Sequence, residues 1–244
     1  MPKNLLGFLL LLSIFPVLIT LFPLILIIKI ILWILAGFAF LFFLFMLYFY
    51  IVFGKNDNKF QNTMWDLVLE KLSWEGNGKA IDIGTGAGAI AIKLAKKFPN
   101  SEVWGIDNWR KGWNYSKTLC EKNASIEGVA DNIVFQKASA SNLPFKDNEF
   151  DAIVSNFVYH EVRDVKDRTD VIGESLRILK KDGKFALQDL FLHEKKFGNL
   201  ENLKNKLKEW GIREINSFNP LVEMNLNWFL CLMFRNTLIL FGKK

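Results

Sequence analysis

One stretch, AIDIGTGAGAIAIKLAKKFP from Ala80 to Pro99, constrains the fold of this chain more than any other. A short apolar run ends in three alternate glycines, Gly84, Gly86 and Gly88, and passes straight into apolar residues at helical spacing. Glycines at such a turn accept positive φ and let a ligand approach the backbone. The helix that follows presents free N–H groups in its first turn. A strand that feeds a helix in this way predicts a parallel sheet, whose neighbouring strands need a crossover between them.

The alternation continues downstream. Phe60, Met64, Leu67, Val68 and Leu72 have helical spacing. KAIDI, EVWGID, NIVFQK, FDAIVSNF, KFALQDLF, REINSF and TLILFG predict strands, and helices are expected over Ala87–Lys97, Gly112–Ser125, Thr169–Leu179 and Leu200–Trp210. Unbroken apolar strands argue for an α/β fold with a sheet covered on both faces. The last two strands have no clear helix between them, so the final one is expected to run antiparallel. Ligands of such sheets sit outside the carboxyl ends of the strands, where the strand order reverses.

The N-terminal region has a different solvent. From Leu5 to Phe53 the only charge is Lys29, and Leu5–Ile28 and Ile30–Phe53 are each long enough to cross a bilayer. One continuous helix would measure about 72 Å, too long for one crossing. A transmembrane hairpin with its tip between Pro23 and Lys29 is therefore expected over residues 1–54, with a single pass or a hairpin that penetrates without spanning as the alternatives, followed by a soluble domain over 55–244. A cleaved signal peptide fits less well, because the apolar tract is too long and no small-residue cleavage site follows it. Lys3, Lys55 and Lys59 flank the hairpin on one side, predicting that the domain faces the cytoplasm.

Asp82 lies two residues before the first glycine. A carboxylate there would repel a pyrophosphate and suit a cofactor bearing an ammonium and a sulfonium, such as S-adenosylmethionine. A carboxylate satisfied by the turn's own N–H groups is the simpler alternative. Asp107 ends the second strand and can accept both hydroxyls of a ribose. Trp109 follows it, placed to pack on an adenine. A nicotinamide-dependent oxidoreductase would share the glycines and Asp107. It would also be expected to carry a Tyr-x-x-x-Lys pair. Here Tyr159 is followed four residues later by Arg163, and Tyr115 by Leu119.

IDIGTGAG, WGID, NLPFKDNEFDAIVSNFVYHEV and LRILKKDGKFALQDLF, in that order, resemble the class I S-adenosylmethionine-dependent methyltransferases, in particular the ubiquinone and menaquinone biosynthesis subgroup. The likeness covers Ala80 to Phe191. It implies a Rossmann-like seven-stranded methyltransferase sheet with an antiparallel last strand. It places Asp82, Gly84, Thr85, Gly86 and Gly88 at the methionine end of the cofactor and Asp107, Asn108 and Trp109 at the ribose. Ser155 and Asn156 come beside the methyl. The family commonly has an acid holding the adenine amine just before the Leu-Pro-Phe turn. By spacing this chain has Ser139 there, followed by Ala140, and Ser141 or a backbone group is the alternative acceptor.

Tyr159 and His160 follow the fourth strand and edge the expected acceptor site. His160 suits a general base, and a structural histidine bonded to backbone is the competing assignment. Glu161 reads as a cap or ion-pair partner. Asn-Pro-Pro-Tyr, a motif of enzymes that methylate amides and base amines, is missing, and the charge of +6 includes no basic run. Both points argue against a nucleic-acid partner. Cys120 and Cys231 lack metal or redox spacing, and His160 and His193 are isolated, so no metal site is expected. The apolar stretch FNPLVEMNLNWFLCLMF either lines the acceptor pocket or dips into the bilayer surface. The expected partners are thus a lipid bilayer and a small hydrophobic or lipid-like methyl acceptor.

Overall fold

The computed structural model describes residues 26–50, 59–110, 114–224, 226 and 228–244. The chain divides into two units, Met1–Thr63 and Met64–Lys244.

In the first unit, helix α1 (Leu26–Tyr50) runs for 25 residues, about 37 Å at the usual rise. Phe38, Leu41 and Phe42 are among its exposed apolar side chains. Its span Leu26–Tyr48 is long and apolar enough to cross a membrane, a test that an N-terminal signal sequence also passes. Lys29 stands inside the first turns of α1, so the chain does not reverse between Leu26 and Lys29. This corrects part of the expected hairpin tip: the helix keeps its backbone ladder through the lysine. Pro16, Pro23 and the first apolar segment up to residue 25 lie outside the described residues, as do Lys3 and Lys55.

Helix α2 (Lys59–Lys71) spans the divide and buries Met64, Leu67 and Val68. The second unit then alternates β1 (Lys79–Ile83), α3 (Ala89–Lys97), β2 (Glu102–Asp107), α4 (Lys117–Ile126), β3 (Ile133–Lys137), β4 (Phe150–Asn156), α5 (Thr169–Arg177) and β5 (Leu179–Asp189). It ends with α6 (Glu194–Phe197), α7 (Leu200–Glu209), β6 (Glu214–Phe218), α8 (Trp228–Phe234) and β7 (Leu238–Lys243). The sheet has seven strands in the order β3-β2-β1-β4-β5-β7-β6. Strands β1 to β5 pair in parallel. β7 inserts antiparallel between β5 and β6, as the sequence predicted. The chain moves outward from β1 to β2 and β3, then returns to place β4 on the other side of β1. That reversal opens a crevice at the carboxyl ends of β1 and β4.

Local chemistry explains the boundaries. Helix α4 begins at Lys117 rather than Gly112, because the Ser116 hydroxyl accepts the Leu119 N–H at 3.1 Å and caps the helix. Helix α5 ends at Arg177 rather than Leu179, because Leu179 pairs with Phe150 and opens β5 early. The core is built from Ile81, Ile83, Phe150, Ile153, Phe185 and Leu187 with Leu176 of α5 and Leu203 and Leu207 of α7.

Candidate functional site

Gly84, Gly86 and Gly88 all adopt positive φ, at 74°, 58° and 87°. A Cβ on Gly84 would run into Val158, so the loop after β4 closes directly over the turn. The Gly86 carbonyl accepts from the Trp109 indole Nε1 at 2.9 Å and the Cys120 thiol at 3.1 Å. The Asn123 amide donates to Ala87 at 2.9 Å. The turn is thus held from α4 and from the end of β2. Burial, assisted by the charges of Asp82 and Asp107, pushes the Cys120 thiol up to about 12, so it stays protonated and unreactive.

Asp82 is only 2% exposed. Its Oδ2 accepts the Thr85 hydroxyl at 2.7 Å and the Ala91 N–H at 3.2 Å. The carboxyl therefore faces the first turn of α3 instead of standing at the mouth of the glycine turn as expected. Hydrogen bonding to α3 and Thr85 captures it. Burial raises its pKa from 3.8 to about 7 against the effect of those bonds. Asp107 lies half-buried at the end of β2, where Oδ2 accepts Gly86 N–H at 3.0 Å and Oδ1 accepts Trp109 N–H at 2.8 Å. A carboxylate has about four lone-pair sites, so each oxygen keeps capacity for a ribose hydroxyl. Asn108 accepts Arg110 N–H.

Two strained residues flank the crevice. Trp109, after β2, has φ of 42°, and Phe157, after β4, has φ of 56°. Such conformations cost on the order of 1–3 kcal/mol and collect at functional sites. Next to Phe157, Asn156 Oδ1 is buried and has no hydrogen-bond partner among the described residues. An orphaned acceptor at the strand end suits a cationic donor such as the cofactor's ammonium. Ser155 does not reach the crevice: it is fully buried and donates to the Ile83 carbonyl at 2.9 Å, tying β4 to β1.

Just past the end of β3, the two serines join an acid from a distant loop. Ser139 Oγ lies 2.8 Å from Ser141 Oγ, and Ser141 Oγ donates to Asp164 Oδ2 at 2.7 Å. The Ser141 hydroxyl holds the Asp164 carboxyl below its ordinary value, with smaller help from Arg110 and Ser139. Ala140 lies between the two serines, partly buried. Sequence reasoning missed Asp164 because it stands 25 residues after Ser139, in the loop after β4.

That loop also carries the histidine. His160 Nδ1 lies 2.7 Å from Asp189 Oδ1, at the end of β5. Asp189 is fully buried and accepts backbone N–H groups from Leu190 at 2.6 Å and His160 at 3.3 Å. A carboxylate that accepts from two amides also accepts from Nδ1–H, so that in the neutral imidazole Nε2 carries the lone pair. Nε2 is 3.4 Å from the exposed Glu161 carboxylate. Phe157 lies edge-on to His160 with centroids 6.2 Å apart, and Phe234 of α8 packs on Phe157 at 6.1 Å. Asp189 was not singled out by sequence, where QDL looks like an ordinary strand end. Tyr159 is corrected: it is fully buried, its hydroxyl donates to Ser175 at 3.2 Å, and burial pushes its pKa far above the phenol range. It anchors the loop in the core and does not face the crevice.

A parallel sheet with an antiparallel last strand, a glycine turn at the switch point and an acid at the next strand end define the methyltransferase class of α/β proteins. The methyltransferase domain family matches residues 75–228, and the chain belongs to that family. It is 30% identical over 130 residues to a ubiquinone/menaquinone biosynthesis C-methyltransferase of Desulfotalea psychrophila, covering 53% of this chain and 48% of the relative. It is 31% identical over 134 residues to a demethylmenaquinone methyltransferase of Thermotoga maritima, covering 55% and 51%. The chain thus spans about half the length of the curated relatives it matches. The solved structure of Haemonchus contortus phosphoethanolamine N-methyltransferase 2 with S-adenosyl-L-methionine superposes with a TM-score of 0.58 at 17% identity, over 80% of this chain and 56% of that one. That likeness shows the fold.

Proposed function

We infer that this protein is a membrane-anchored enzyme that transfers a methyl group from S-adenosylmethionine to a small hydrophobic or lipid-like acceptor, with His160 as general base. The observation that carries this reading is the His160–Asp189 pair beside the glycine turn, with the lone pair of Nε2 left for an acceptor. S-adenosylmethionine, when bound, supplies a methyl group activated by a sulfonium. Asn156 Oδ1 would take its ammonium, Asp107 its ribose, and the Ser139–Ser141–Asp164 chain its adenine amine. Asp82 acts at one remove, by holding Thr85 and the start of α3. His160 Nε2 would take the proton that the acceptor loses as its new bond to carbon forms, and Glu161 offers that proton a route to solvent. Positioning of this kind contributes about 7–11 kcal/mol in favourable cases.

The acceptor class rests on three supports: helix α1, the apolar α8 beside Phe157, and two quinone-methylating relatives. The test is transfer of labelled methyl from S-adenosylmethionine into membrane extracts by the full chain and by His160→Gln. Label in the lipid fraction with wild type, lost by about 10²–10⁴-fold in the variant, is expected for a general base. Label confined to membrane proteins would indicate a protein acceptor instead. Tight cofactor binding without transfer would make the chain a tethered binding module.

A further inference from the structure

At the carboxyl edge of the sheet, beyond His160, lies a cavity of about 380 Å³ that the methyltransferase reading leaves unused. The loop after β4 and helices α6 and α7 line it, bringing Lys166, Arg168, Lys195, Lys196 and Lys206 together with one acid, Asp167. That acid is already committed. Asp167 Oδ2 accepts Lys206 Nζ at 2.8 Å, and its Oδ1 accepts Thr169 N–H at 2.9 Å. The Lys206 ammonium holds the Asp167 carboxyl down at about 2. Lys166, Lys195 and Lys196 make no ion pair among the described residues, and Arg168 makes one hydrogen bond, from Nε to the His160 carbonyl at 3.2 Å. Its terminal nitrogens remain for another partner. Four uncompensated cations around one hollow repel each other, and a ligand with several anionic oxygens would relieve that repulsion while matching the guanidinium fork. The wall behind them is apolar: Phe197 and Leu203 are almost fully buried, and Phe197 packs on Phe191 at 5.1 Å.

We propose that this cavity binds a phosphate or diphosphate group carried by the methyl acceptor, with Lys166, Arg168, Lys195 and Lys196 as its counter-charges. The assignment rests on the methyltransferase reading, since it makes the anion part of the same acceptor that His160 serves. Arg168 couples the two places, because it donates to the backbone of the catalytic histidine and lines the cavity.

The experiment uses the full chain in an uncharged detergent. Inorganic pyrophosphate and mixed micelles containing phosphatidic acid are titrated separately, with phosphatidylcholine micelles as the blank. The triple variant K166A/K195A/K196A is measured beside wild type, and S-adenosylmethionine is titrated into both. Wild type is expected to bind at least one phosphate probe, and the variant to lose about tenfold or more of that affinity, as for several charge-assisted contacts. Its S-adenosylmethionine affinity is expected to be unchanged. Binding of pyrophosphate assigns a soluble phosphate ester, and binding of phosphatidic acid alone assigns a lipid phosphate. The proposal is overturned if neither probe exceeds the blank, or if both proteins bind the probes equally. Failure of wild type to bind S-adenosylmethionine would overturn the methyltransferase reading by itself, whatever the phosphate probes show.

Discussion

Asp189 and Asp82 are both carboxyl groups without solvent, and their partners give them opposite uses. Asp189 accepts two amides and an imidazole, so its carboxylate orients His160. Asp189→Asn would put an N–H donor against Nδ1 and reverse the tautomer. Transfer is expected to fall by about 10²–10⁴-fold with cofactor affinity intact. Added imidazole should rescue His160→Ala but not Asp189→Asn, which a merely structural role would not produce. Asp82 has a folded pKa of about 7 against 3.8 unfolded. The folded state therefore binds more protons between these values, and this group's stabilising effect is largest below about pH 4 and declines as pH rises to 7. Without cofactor, the melting temperature of wild type relative to Asp82→Asn should fall between pH 5 and pH 8. A flat difference would show that Asp82 is not protonated in the fold. For Asp164→Asn, loss of one charge-assisted hydrogen bond in the relay predicts about fivefold weaker S-adenosylmethionine binding by calorimetry. The glycines, Asp107 and His160 could be singled out from sequence because each ends or closely follows a predicted strand. Asp164 and Asp189 could not, because each serves a residue 23 or more positions away in the chain.

At the scale of elements, the βα unit at Gly84 is the joint on which the crevice depends. Gly84→Ala is strained twice, by φ of 74° and by collision with Val158. It is expected to destabilise the protein by about 1–3 kcal/mol and to abolish cofactor binding. Adding Val158→Ala should restore part of the stability, because it removes the collision and leaves the strained φ. Thermal unfolding of the two variants separates the contributions. Strand and helix identities were legible because periods of 2 and 3.6 survive in short segments. Helix α8 was not, since WFLCLMF is apolar all round and has no period to read. Only the fold distinguishes its buried Leu230 from Trp228, which is 77% exposed.

For the molecule as a whole, the question is whether one chain works at a bilayer. Helix α1 predicts that the full chain stays in the membrane pellet after alkaline carbonate washing, whereas a chain starting at Lys59 is released. Recovery of a shortened full-length product in the wash would identify a cleaved signal sequence instead. The order of apolar runs and glycines was sufficient to determine the parallel α/β class, the antiparallel ending and the ligand turn, because these follow from local sterics and periodicity. The partnerships of the site were decided by tertiary structure alone: Asp189 with His160, Asp164 with Ser141, and the lysines of three separate segments around one cavity. Charge and hydrogen bonding act over a few ångströms in space, and no spacing along a chain records which distant side chains the sheet will bring that close.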